Sequence, residues 1–178
     1  MKITNLIDLR SIELNSTVST KEEALNKLID LMDKSGKLND RNVYATGVYA
    51  REGQGSTGIG EGIAIPHCKS SSVTTPGLSA IVVKNGVDFD SVDGEKVQLL
   101  FLIAAPDTED NVHLDLLSKL SVLLIDEEFT SKLKNATLPE EFLRIIDQAE
   151  AAKDEASTDK SEISKPQIRI LGVTGCPT

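Results

Sequence analysis

The chain has 178 residues, 39% of them hydrophobic and 26% charged, enough apolar material for one ordinary folded domain with residues to spare. Its formal net charge of -9 argues against nucleic acid or an anionic membrane as the main partner, because both call for a basic footprint. No apolar run approaches the ~20 residues of a membrane span, and Met1-Lys2-Ile3-Thr4-Asn5 does not open a signal peptide, so the expected location is the cytoplasm.

Taken in chain order, the first element is a helix. Ser19-Thr20-Lys21-Glu22-Glu23 carries two overlapping capping boxes, and Ala24, Leu25, Leu28, Ile29 and Met32 follow at helical spacing until Gly36. A second helix is predicted from Asn39 or Asp40 toward Arg51. Residues 52–62 then hold five glycines in eleven positions. Ile63–Ile65, Leu78–Val83 and Val97–Ala104 read as buried strands. The longest helix is predicted over Thr108–Asp126, with His113, Leu116, Leu117, Leu120 and Leu124 on one stripe. A last helix, capped by Thr137-Leu138-Pro139-Glu140, passes through Ile145 and Ile146. Strands interleaved with helices predict an α/β domain with a mixed sheet over 1–150.

The whole charge excess lies in 1–150, whereas 151–178 carries 4 residues of each sign. Residues 151–162 contain no large apolar side chain and read as a polar linker, taken here as 151–165. Ile168 to Val173 is a strand signal just after Pro166, and it reads as the first strand of a further unit starting at 166.

Only two histidines occur, His67 and His113. Histidine titrates nearest neutrality, so a neutral imidazole can act as a nucleophile at cellular pH. His67 closes the apolar run that leaves the glycine-rich segment. It could take a phosphoryl group, with backbone N–H groups of Gly58, Gly60 and Gly62 and the guanidinium of Arg51 neutralising the charge. It could equally end a strand whose glycines merely turn the chain. His113, near the start of its helix, is either a hydrogen-bonded core histidine or a second imidazole facing the same site. Zinc is disfavoured, because His67 and Cys68 point to opposite faces of an extended chain and no His/Cys pair has knuckle spacing. The same alternation argues against a Cys68–His67 nucleophile pair, and no phosphate-binding P-loop pattern is present. No metal or cofactor is expected.

The run Ser56-Thr57-Gly58-Ile59-Gly60-Glu61-Gly62-Ile63-Ala64-Ile65-Pro66-His67 resembles the phosphorylation-site signature of the fructose/mannitol-type IIA component of the bacterial sugar phosphotransferase system. Arg51-Glu52 upstream and Asn111-Val112-His113-Leu114 downstream extend the likeness over about residues 1–150. The resemblance implies a single domain with a mixed parallel/antiparallel sheet flanked by helices. It also implies that His67 accepts phosphate from the histidine-containing phosphocarrier protein and passes it to a IIB component, with Arg51 and His113 beside the phosphate. Ile168 to Thr178, ending Gly175-Cys176-Pro177-Thr178, resembles the opening strand and active-site loop of a fructose-type IIB domain, in which Cys176 would be the next phosphoacceptor. The implied protein is a IIA domain, linker and IIB stub of a longer permease whose membrane IIC component carries a sugar, fructose by resemblance. A nitrogen-type regulatory IIA-like module, signalling through its phosphorylation state, is the alternative. A docking carrier would meet an acidic domain, and Ile59, Ile63 and Ile65 are the residues expected to offer it an apolar face.

Overall fold

The computed structural model describes residues 2–108 and 112–164, with side chains at 2–108 and 114–153. Two 3-10 turns, Ile3–Asn5 and Leu9–Ser11, lead into β1 (Ile12–Glu13), α1 (Lys21–Lys34), α2 (Arg41–Gly53), β2 (Gly58–Gly60), β3 (Ile63–Ala64) and β4 (His67–Ser70). There follow β5 (Gly77–Val87), β6 (Val97–Pro106), α3 (Val112–Leu124), α4 (Glu127–Asn135) and α5 (Pro139–Ser164).

The local signals explain the helix starts. Thr20 and Glu23 form a reciprocal capping box at α1, each side chain accepting from the other's backbone N–H, and the helix stops before Gly36 at φ +80. Asp40 caps α2 through the Val43 N–H. The predicted helix over Thr108–Asp126 is divided: α3 ends at Leu124, and Asp126 caps a separate α4 by accepting from Glu128 and Phe129. An acidic residue followed by two more in the next turn is a start signal, and it outweighs the continuity of the apolar stripe. Pro139 opens α5, the Thr137 N–H is taken by Glu141, and the helix runs through the predicted linker as far as Ser164. Residues 165–178, including Cys176 and the predicted strand at 168–173, lie outside the described residues.

The sheet is mixed, in the order β1-β5-β6-β3-β2, with β4 also on β6. β5 runs antiparallel to β6, while β3 and β4 lie parallel to β6 one after the other on its opposite edge. From Leu99 to Ala105 the side chains of β6 alternate between two apolar layers. Leu99, Phe101, Ile103 and Ala105 face α3, α4 and α5, where Phe101 meets Phe142 at a ring separation of 6.0 Å. Leu100, Leu102 and Ala104 face α1 and α2. Helices on both sides therefore bury both faces of the sheet, which accounts for the unbroken apolar runs of β5 and β6.

Candidate functional site

His67 is the first residue of β4. The Pro66 carbonyl accepts the Ile103 N–H at 3.0 Å, and His67 itself stands opposite Ile103 in parallel register. Cys68 belongs to the layer of α1 and α2, so His67 lies on the other face of the sheet, the side of α3. Its ring is half-buried, and Nδ1 lies 2.9 Å from the Ile65 carbonyl oxygen. A carbonyl can only accept, so Nδ1 carries a proton, and in the neutral ring the lone pair is then on Nε2. α3 packs against β4 and β6 and carries His113 in its first turn; the side chain of His113 is outside the described residues.

Arg51 is in the last turn of α2, on the opposite side of the sheet. Its Nη1 donates to the Gly55 carbonyl at 3.0 Å, folding the guanidinium over the loop that leaves the helix. That loop abuts the segment between β3 and β4 that leads to His67, because the Ile65 N–H donates to the Thr57 carbonyl at 3.1 Å. Arg51 thus holds the loop two residues before Thr57, and His67 contacts Ile65, the residue across that rung.

The three glycines occupy different places. Gly58 pairs with Ala64, and its N–H is taken by Ser56 Oγ at 3.0 Å. Gly60 and Gly62, at φ +97 and +80, form the turn of the β2–β3 hairpin, where the Gly62 carbonyl accepts from both Gln98 and Leu99. Counting along β6, that turn is four residues from the position of His67, about 13 Å at ~3.3 Å per residue. The described geometry therefore does not bring Gly60 or Gly62 to the imidazole. At Gly58 the lack of a side chain has a packing reason, because a Cβ there would strike Ser91; at Gly60 and Gly62 it is the positive φ that disfavours a side chain, with a Cβ at Gly60 also standing 3.1 Å from the Asp93 carboxylate. Ile63 and Ile65 are 2% and 1% exposed and offer nothing to a docking partner, so of the three isoleucines only Ile59, at 50%, is on the surface.

Several contributing residues carried no clear signal in the sequence. Tyr44, fully buried on α2, donates its hydroxyl to the Ile103 carbonyl at 2.8 Å, bracing the strand against which His67 lies. Burial pushes its phenol well above the ordinary range, with Cys68 adding to the shift, so it acts as a neutral donor. Burial also raises the Cys68 thiol. Glu52, next to Arg51, is buried; it accepts from the Thr57 N–H at 2.8 Å and from Thr57 Oγ1 at 2.6 Å, and it pairs with Lys21 at 2.9 Å. An Arg-Glu pair at a helix end reads as two solvated charges, and only its return contact to Thr57 distinguishes the glutamate. Among the described residues no group of three or more His, Cys, Asp or Glu could hold a metal, and no helix is long and apolar enough to cross a membrane.

This mixed sheet flanked by helices is the architecture of the mannitol-type IIA domains. A nitrogen regulatory protein IIA-Ntr from Neisseria meningitidis superposes with a TM-score of 0.75 at 29% identity, covering 81% of this chain and 98% of that one. The complex of enzyme IIAMTL and phosphorylated enzyme IIBMTL from Escherichia coli matches with a TM-score of 0.69 at 26% identity, covering 80% of this chain and 99% of that one. The chain belongs to the EIIA 2 family of the phosphoenolpyruvate-dependent sugar phosphotransferase system, whose family model matches residues 5–149. It is 42% identical over 180 aligned residues to the fructose-specific EIIABC component of Bacillus subtilis (strain 168). That alignment takes in 100% of this chain and 28% of the relative, so the chain spans little more than a quarter of that protein's length.

Proposed function

We propose that the chain is the phosphoryl-accepting IIA unit of a fructose-type permease, with His67 as the covalent carrier. The observation that carries this reading is the Nδ1 contact to the Ile65 carbonyl, which in the neutral ring puts the lone pair on Nε2. In the first transfer that lone pair attacks the phosphorus of the phosphorylated carrier protein; the Nε2–P bond forms as the donor's P–N bond breaks. In the second, a thiolate of the IIB component attacks the same phosphorus, and the Nε2–P bond breaks. Because Nδ1 keeps its proton throughout, the ring departs as neutral imidazole and no proton need move at that step. The transferred group brings nearly two negative charges, which Arg51 and His113 would balance from the two sides of the sheet. Arg51 would have to release the Gly55 carbonyl to do so, an exchange of one neutral acceptor for a stronger anionic one. Gly58 would help to hold the strand, and Gly60 and Gly62 the hairpin turn, in place of binding phosphate.

In this reading 1–150 is the IIA domain, 151–165 the connection, and 166–178 the start of a IIB domain with Cys176 as its phosphoacceptor. The longer protein would continue into the membrane component. The alternative, a regulatory module signalling by its phosphorylation state, is favoured by the likeness to the Neisseria protein. The match to the EIIABC relative extends past residue 150 to the whole chain, which supports the transport reading.

The test is incubation with phosphoenolpyruvate, enzyme I and the phosphocarrier protein, followed by mass spectrometry. One acid-labile phosphate on His67 is expected. Full labelling of His67→Ala would exclude it. Phosphate flow onward to an isolated IIB domain and a sugar, against capture of regulatory proteins with no such flow, separates the two readings.

A further inference from the structure

Four hydrogen bonds link a buried carboxylate to the imidazole of His67, and an ion pair holds that carboxylate from its other side. Lys21 Nζ, resting 4.6 Å from the centroid of the Phe89 ring, pairs with Glu52 at 2.9 Å, and the Glu52 side chain is only 5% exposed. The two Glu52 oxygens take the N–H and the hydroxyl of Thr57. The Thr57 carbonyl accepts the Ile65 N–H, and the Ile65 carbonyl accepts Nδ1–H of His67. Thr57 is itself 5% exposed, so without Glu52 its N–H would be a buried donor with its partner removed.

We propose that Glu52 is a positioning residue for His67: by clamping both polar groups of Thr57 it holds the Thr57–Ile65 rung, and through the Ile65 carbonyl it selects the Nδ1–H tautomer and the ring orientation. The linkage is mechanical. The N–H and carbonyl of Thr57 belong to different peptide units, as do those of Ile65, so polarisation is not passed along an unbroken chain. What passes is position, and hydrogen-bond strength falls steeply with misalignment. Lys21 supplies the counter-charge that allows a carboxylate to remain in this place, and its own position is set by the Phe89 ring and carbonyl. Ser56 reinforces the loop from the other side, donating to the Phe89 carbonyl at 2.5 Å.

The inference deepens the carrier reading and rests on it only for its consequence in transfer, since the tautomer is observable without phosphate. The experiment is nitrogen NMR of the imidazoles in the full chain, with His67→Ala to assign the signals, applied to Glu52→Gln, Thr57→Val and Thr57→Ser. The wild type and Thr57→Ser should show one proton-bearing and one lone-pair nitrogen, with the proton on Nδ1. Glu52→Gln and Thr57→Val should draw the two signals toward each other. With the phosphocarrier as donor, both should transfer about tenfold more slowly at saturation, with half-saturating concentration unchanged within twofold. A folded Glu52→Gln or Thr57→Val variant with wild-type nitrogen signals and rate would overturn the proposal. Amide exchange in the unmutated chain is a second measurement: Thr57 should be as protected as Ile65, and a freely exchanging Thr57 would also overturn it. If the signals respond as expected but the wild type takes no label, the positioning role stands and the carrier reading falls.

Discussion

Gly47 and Cys68 interlock: a Cβ placed on Gly47 would stand 2.7 Å from the Cys68 sulfur, so α2 can lie this close to β4 only because residue 47 has no side chain. A mid-helix glycine costs about 1 kcal/mol against alanine, and the close approach offsets that cost. Along the same stripe of α2, Tyr44 reaches the Ile103 carbonyl one turn earlier and Arg51 follows one turn later. The seating of α2 on β4 thus sets the height of Arg51 relative to His67.

Gly47→Ala should therefore destabilise the domain in spite of its better helix propensity, by about 1–3 kcal/mol from overpacking. Cys68→Ala removes the obstructing sulfur, so the double variant should be more stable than the sum of the single changes predicts. Chemical denaturation of the four proteins gives the coupling. Strict additivity would show that α2 does not rest on this contact.

Tyr44→Phe should lower stability by about 0.5–1.5 kcal/mol, the ordinary net worth of a buried neutral hydrogen bond. The Pro66–Ile103 rung survives the change, so labelling of His67 is expected to stay within about twofold, since tenfold would require ~1.4 kcal/mol at the site itself. A melt and a labelling time course on one preparation check both halves.

Burial raises the Cys68 thiol, and the direction fixes the pH dependence. A group raised in the folded state binds more protons there than when unfolded. Its contribution is fully present below the unfolded value near 9.0 and is lost as pH climbs through the folded one. In a Cys176→Ser background the remaining thiol should resist a disulfide reagent at pH 8 until denaturant is added, and stability should decline on the alkaline side. Rapid native-state labelling would contradict the burial of the sulfur.

Arg51 and His113 are expected to assist transfer without forming the covalent bond. Arg51→Ala and His113→Ala should slow labelling by about ten- to a few-hundred-fold and still reach completion, whereas His67→Ala should take no label. A wild-type rate in His113→Ala would return that residue to a structural role on its helix.

The sequence by itself determined what depends on near neighbours. Thr20 and Glu23 are three residues apart, Asp40 caps its own helix, and β5 and β6 announce themselves as apolar runs; none of these needs a distant partner. The His67 motif was legible for the same reason, being contiguous. The tertiary structure decided what depends on register. β1 and β4 are strands of 2 and 4 residues that exist because β5 and β6 pair with them. Ile63 and Ile65 pointed inward once β3 lay on β6, and the pairing of β2 with β3 put Gly60 and Gly62 in the hairpin turn, with Gly58 against Ser91 and Gly60 against Asp93. Glu52 was hidden most fully, because its meaning comes from Lys21, 31 positions earlier in the chain, and from a loop that returns to meet it. Caps and periodicity are properties of a short segment, whereas the partner of a buried charge is settled only when separate segments are brought to one place.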